Sequence, residues 1–287
     1  MNSYNAKLYP FKSKWMDIDG NKIHYIDEGQ GTTILFSHPP LGSSFMYREF
    51  IKYLRSKYRC IAIDYPGFGL SKANWDYKVG VEQQSIILDS FLQRLNLTDI
   101  YVVGHDTGGP SAFKVAIDRP DIFKGLILTD TVIYPISEYS KLAIMLDIVG
   151  SGFFGWLNAR TNFLVRATFR YGIRTRKLSN AERGQYLSMF NTNAKRTRIT
   201  QMLFDLKQNE AFMKKVKLGF ETVLNLKPTL MVYGSKDPVR ELGIVDRICK
   251  LLPNSELHLI SNEGHFPHEG QPIKMSQLIE DWISKQG

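Results

Sequence analysis

The chain has 287 residues, 43% of them apolar, which is enough for a sizeable core and excludes a disordered segment or a short peptide module. Two cysteines, Cys60 and Cys249, exclude a disulfide framework, no Cys/His spacing suggests zinc, and no apolar run marks a secretory signal, so the composition reads as cytoplasmic. The formal charge is +9, from 37 Lys and Arg against 28 Asp and Glu, and by itself it invites a polyanionic partner.

In chain order, Trp15–Asp19 and Lys22–Asp27 flank an Asp19-Gly20-Asn21 turn and predict a hairpin. Short apolar runs at 33–37, 60–64, 100–104 and 125–129 predict buried strands, with helical patterns at 45–57, 81–96 and 110–118 between them. From 134 to 217 the strand signal vanishes and helices are expected at 137–149, 153–171, 180–191 and 197–207. Alternation then resumes with strand 229–233, helix 240–252, strand 256–260 and helix 272–285. This pattern predicts an α/β fold whose mostly parallel central sheet carries helices on both faces. Residues 1–133 and 218–287 form the expected core, and 134–217 a helical lid inserted between two strands, over the strand ends where ligands bind. The longest apolar stretch, 142–157, is interrupted by Asp147 and three glycines and is too short to cross a bilayer.

The chemistry concentrates in Gly104-His105-Asp106-Thr107-Gly108-Gly109, which follows an apolar strand and precedes a helix. Strand, sharp turn and helix with flanking glycines are the context of a nucleophile elbow, here with aspartate at its centre. The plainer reading is a glycine-rich turn with Asp106 capping a helix. Asp237 follows the next-to-last strand and His265 follows the last, giving the order nucleophile, acid, histidine. No glycine-rich phosphate loop or metal-ligand cluster is visible, so no cofactor is implied.

With Asp64-Tyr65-Pro66-Gly67-Phe68-Gly69, Phe36-Ser37-His38-Pro39-Pro40 and Gly264-His265-Phe266-Pro267 added, the chain resembles the α/β-hydrolase superfamily over nearly its whole length. Within it, the aspartate resembles that of the haloalkane dehalogenase and epoxide hydrolase branch. The resemblance implies hydrolysis of a small or medium apolar substrate through an alkyl ester on Asp106. His265 would be the base, and Asp237 the acid that orients it. Some dehalogenases place that acid at the position of Asp130, 24 residues after the nucleophile, so Asp130 is the alternative. His38, Pro40, Thr107, Tyr134, Trp156, Tyr186 and Phe266 are the candidate substrate-binding residues.

Several positions depart from the family. Thr107 stands where dehalogenases carry a halide-binding tryptophan, leaving Trp156 as the lid's alternative donor. Tyr134, Tyr139, Tyr171 and Tyr186 are candidates for the lid tyrosines that protonate an opening epoxide, Tyr186 lying in a helix that resembles the corresponding lid helix. Pro39-Pro40 replaces the usual loop after His38, and Pro40 has no N–H for an oxyanion. Loss of one such donor costs about 2.7–4 kcal/mol in a transition state. The competing reading is therefore a ligand-binding or catalytically reduced homologue, or a non-hydrolytic general-base enzyme.

The charge has a place in this scheme. Residues 134–217 hold 15 Lys and Arg against 5 Asp and Glu, so the excess lies in the lid while the remainder is nearly neutral. No nucleic-acid motif accompanies it. The expected partner is a small-molecule substrate, with the basic lid able to meet an anionic substrate or a membrane surface; oligomeric state is not legible.

Overall fold

A computed structural model describes residues 4–286. Eight strands form one sheet: β1 (Lys14–Ile18), β2 (Asn21–Glu28), β3 (Thr33–Ser37), β4 (Arg59–Ile63), β5 (Ile100–His105), β6 (Phe123–Thr129), β7 (Thr229–Gly234) and β8 (Ser255–Ile260). Their order is β1-β2-β4-β3-β5-β6-β7-β8, antiparallel among the first three and parallel from β4 onward. Left-handed backbone at Asp19 and Gly20, with φ of 51° and 74°, turns β1 into β2 as expected of an Asp-Gly hairpin. β3, β5 and β7 are buried along their whole length, because parallel strands are covered by helices on both faces.

On the sheet lie α1 (Arg48–Leu54), α2 (Val81–Arg94) and α3 (Gly108–Asp118). β3 neighbours both β4 and β5, so the strand order reverses there. That reversal opens a crevice at the carboxyl ends of the strands.

Between β6 and β7 run α4 (Ser140–Gly150), α5 (Gly152–Thr161), α6 (Phe163–Ala167), α7 (Asn180–Met189), α8 (Asn193–Gln208) and α9 (Glu210–Thr222). The single helix expected over 153–171 is broken. Asn162, left-handed at φ 56°, separates α5 from α6, and a π-helical turn follows at Thr168–Gly172. Asparagine tolerates that conformation, and the Asn158 side chain bridges the break by accepting from Leu164 N at 3.0 Å and donating to Arg196 O at 2.9 Å. The boundary expected after residue 217 falls inside α9. That helix packs on α3 through Phe220, whose ring meets Phe113 edge-on at 5.4 Å, so it is built into the core side of the molecule.

The chain closes with α10 (Pro238–Glu241), α11 (Ile244–Leu251), α12 (Pro267–Gly270) and α13 (Pro272–Ser284). The helix expected over 240–252 is split by Gly243 at φ 75°.

Candidate active site

β5 ends at His105 and α3 begins at Gly108, so Asp106 and Thr107 alone turn the chain. Asp106 has φ 48°, a left-handed conformation that costs a non-glycine residue of order 1 kcal/mol and persists only where neighbours enforce it. They do so here: Asp106 O accepts from Thr131 Oγ1 at 2.7 Å and from Gly109 N at 3.0 Å. The flanking glycines answer to crowding. A Cβ at Gly108 would lie 2.5 Å from Ser37 O, and one at Gly109 would collide with Thr131 Oγ1.

The elbow holds the Asp106 carboxylate 3.4 Å from His265 Nε2. On the other side of the imidazole, Nδ1 lies 3.1 and 3.2 Å from the two Asp237 oxygens. Asp237 is itself fixed, its Oδ1 accepting from Val239 N at 2.9 Å. The side chains of Asp106 and His265 keep 16% and 24% exposure, whereas that of Asp237 is fully buried. Burial would push the Asp237 carboxyl up, but the charge and hydrogen bond of His265 bring it below its ordinary value. Burial would likewise push His265 down, and Asp237 with Asp106 raise it well above.

Asp130 does not touch His265. Its Oδ1 accepts from Gly234 N at 2.8 Å, while the buried Oδ2 has no partner. Burial, then the charge and hydrogen bond of Asp237, raise the Asp130 carboxyl well above the carboxylate range. The two positions between which the sequence left the acid undecided are neighbours, with Asp237 facing the imidazole. Ligand-type atoms of Asp130, Asp237 and His265 also lie within 4.8 Å of one another, while the Asp237 oxygens are already engaged by the imidazole and by Val239 N.

This protonation has a measurable consequence. A carboxyl raised in the folded protein favours folding most at low pH, and that contribution is lost as pH rises from the unfolded value through the folded one. Asp130→Asn keeps the acceptor for Gly234 and a donor for Asp237 without an ionisable proton. The variant is expected to be more stable than the parent at neutral pH. Its advantage should grow by up to about 1.4 kcal/mol per pH unit above roughly pH 4. Urea midpoints at pH 4 and pH 7 measure it; an advantage that shrinks with pH would place an ionised carboxylate at Asp130.

Asp106 and His265 open into a cavity of about 590 Å³. Its walls are Leu142, Met145, Leu146 and Val149 of α4, Leu164 and Ala167 of α6, Leu203 and Leu206 of α8, and Val239 and Leu242 after β7. Phe266 lines it as expected. Leu41 also lines it, and neither the Leu41 nor the Thr107 amide has a hydrogen-bond partner among the described residues. Leu41 N–H is thus an unengaged donor at the residue following Pro40, which has none.

Other expected pocket residues serve elsewhere. His38 is buried, with Nε2 accepting from Tyr65 N at 3.0 Å and Nδ1 donating to Pro39 O at 2.7 Å. Pro40 lies in the turn before Leu41, and the Thr107 hydroxyl is buried without a hydrogen-bond partner among the described residues, away from the cavity lining. Tyr134 donates to Arg247 O at 3.2 Å and lies under the Arg247 guanidinium. Trp156 stands on the outer surface, 54% exposed and stacked on Phe153, because α5 turns Asn158 inward instead. Tyr186 is buried and donates to Glu269 Oε1 at 2.6 Å. The tyrosine that does line the cavity is Tyr171, in the π-helical turn that sequence periodicity reads as plain helix.

Sequence reasoning also passed over Glu263, two residues before the histidine. Its buried carboxylate accepts from Arg174 N at 3.0 Å and Thr175 N at 3.1 Å, and Phe266 N donates to Gly172 O at 2.9 Å. The helical insertion is therefore tied to the loop that carries His265.

The model of a family described as the alpha/beta hydrolase fold matches residues 32–272. A protein named haloalkane dehalogenase 2 from Mycobacterium tuberculosis (strain ATCC 25618 / H37Rv) is 30% identical over 96% of each chain. A cis-3-alkyl-4-alkyloxetan-2-one decarboxylase from Shewanella oneidensis is 26% identical, covering 97% of this chain and 90% of its own. The crystal structure of the haloalkane dehalogenase DatA from Agrobacterium tumefaciens C58 superposes with a TM-score of 0.86 at 20% identity, covering 99% of this chain and all of the other. With the sheet order, the elbow and the family match in agreement, the chain belongs to the α/β-hydrolase fold family and is a hydrolase of its haloalkane dehalogenase-like branch.

Proposed function

We propose that the protein hydrolyses an apolar substrate at an electrophilic sp3 carbon by way of an ester on Asp106. The observation that carries this reading is the Asp106 carboxylate at the floor of an apolar cavity, with His265 Nε2 at 3.4 Å and Asp237 behind the imidazole. In the first step an Asp106 oxygen forms a bond to carbon, and the leaving group departs with the electron pair of the broken bond. In the second step His265 takes a proton from water, whose oxygen adds to the ester carbonyl. Collapse of that intermediate returns the Asp106 carboxylate and releases an alcohol. Asp237 orients the imidazole and compensates its charge. The amides of Thr107 and Leu41 are the donors for the transient oxyanion. Residues 136–209 act as the cap that closes the cavity.

Halides, epoxides and the strained oxetanone ring of the Shewanella relative's substrate all present such a carbon. The absence of a tryptophan at Thr107 and of an N–H at Pro40 favours a strained ring, whose leaving oxygen stays tethered, over a free halide.

A single turnover in H2¹⁸O, with enzyme in excess, tests the mechanism. The product oxygen is expected to come from Asp106 and to be unlabelled, and the label to appear in the peptide containing Asp106. Label in the product and none in the protein would instead show His265 activating water directly on the substrate.

A further inference from the structure

The outer face of the helical insertion is unlike the rest of the surface in two ways. First, α4 and α5 rest on α8 and leave their opposite side bare: Ile144, Met145, Ile148, Phe153 and Trp156 are 59%, 45%, 48%, 66% and 54% exposed. Single exposed apolar residues are ordinary, but a run of five along two consecutive helices marks a contact surface. The two helices together have the length and apolarity of a membrane span but bend by 61° at Ser151, so they offer an apolar ridge and not a crossing.

Second, a cleft of about 840 Å³ in the same insertion is lined by Arg166, Arg170, Arg174, Arg176, Lys177 and Arg183 and by no acidic side chain. Arg176 pairs with Glu182 and Glu269; the other five have no carboxylate within 4.0 Å among the described residues.

Each of these two surfaces adjoins the active-site cavity. Met145 belongs both to the bare ridge and to the cavity wall, and Tyr171 lines the cavity beneath the guanidinium of Arg170. We infer that this face docks on an anionic lipid bilayer, with the α4–α5 ridge among the outermost acyl carbons and the arginine cleft on the headgroup phosphates. A polyanion in solution would leave the ridge without a partner, and a neutral bilayer would leave the cations without one. An amphipathic face with cations at its margin suits both parts of an anionic membrane. The mouth of the cavity then opens toward the layer in which an apolar substrate is dissolved; this last point rests on the proposed hydrolase reading, whereas docking itself does not.

Vesicle flotation of the full-length protein tests docking, comparing phosphatidylcholine alone with phosphatidylcholine containing phosphatidylglycerol. The protein is expected to float with the anionic vesicles and to bind neutral ones roughly a hundredfold more weakly, by about fivefold for each cation engaged. Ile148→Glu/Phe153→Glu and Arg166→Gln/Arg170→Gln/Arg174→Gln should each abolish flotation with unchanged thermal midpoints. Equal binding to both vesicles, or none by the parent, overturns the inference. Flotation lost in the arginine variant but kept in the ridge variant makes the attachment electrostatic alone, with no part for the ridge, and also overturns it. So does a parent that sediments as a dimer and a ridge variant that sediments as a monomer, which would make the ridge a contact between copies. Turnover of a water-soluble substrate is followed in parallel. Flotation failing while turnover persists rejects docking alone, and turnover failing in the parent rejects the hydrolase reading alone.

Discussion

Replacing His265 by glutamine is expected to halt the reaction at the ester. Formation of the ester needs only the Asp106 carboxylate, whereas its hydrolysis needs a proton acceptor beside water. Loss of a general base slows such a step by about 10²- to 10⁴-fold. The variant should therefore gain the mass of an alkyl group from an acceptable substrate, located on Asp106 and discharged far more slowly than in the parent. Glutamine also retains a donor for Asp237, so the thermal midpoint should scarcely move. The electrostatics add a pH dependence. In the resting protein Asp237 and Asp106 together hold the imidazole above its ordinary range. Esterification removes the Asp106 charge, so the imidazole returns toward its neutral form when a base is required. Turnover of the parent should accordingly rise with pH and level off, while alkylation of His265→Gln shows no such rise. An unmodified His265→Gln protein after exposure to haloalkanes, epoxides and dialkyl oxetanones would count against an Asp106 ester.

The largest expected effect on stability belongs to Arg48. Its guanidinium is fully buried at the start of α1 and bonds both oxygens of Glu269, one at 2.9 Å, and Glu182 Oε1 at 2.6 Å. Arg176 Nη2 reaches the same carboxylates at 2.6 and 3.0 Å, and Tyr186 donates to Glu269. Core, helical insertion and C-terminal segment thus converge on one set of charges. Arg48→Met leaves Glu269 buried without its main partner, which costs about 3–5 kcal/mol. That loss corresponds to a fall of roughly 10 °C in Tm for a chain of this size. Arg48→Met/Glu269→Leu should recover part of it, because the uncompensated charge goes with its partner. Denaturant midpoints of the two variants measure both effects; equal losses in each would mean that packing, not charge, dominates.

The contrast between these two sites explains what the sequence disclosed. Asp106, Asp237 and His265 are recognisable because each sits in a short segment whose own turn chemistry and place after a strand are local properties. The choice between Asp237 and Asp130 was not local. It depends on which side chain faces the imidazole across parallel neighbours β6 and β7, and there Asp237 lies against it while Asp130 does not. Arg48 and Glu269 are 221 residues apart, and neither stands in a pattern that points to the other. The helical insertion was legible as helices, but the facing of its side chains was not. Trp156 stands outside while Tyr171 reaches the cavity, with a left-handed Asn162 and a π-helical turn between them resetting the faces.

The tie between Glu263 and the backbone of Arg174 and Thr175 bears on how such proteins can be recombined. Those two residues belong to the helical insertion, while Glu263 precedes the histidine by two positions in a distant part of the chain. A chimera that exchanges the insertion between relatives to change substrate preference would replace part of the histidine loop's scaffolding as well. Grafts that retain residues 172–175 with the recipient's histidine loop should preserve the alignment of His265, and those that cut through them should lose catalytic rate even where the new cavity binds its ligand well.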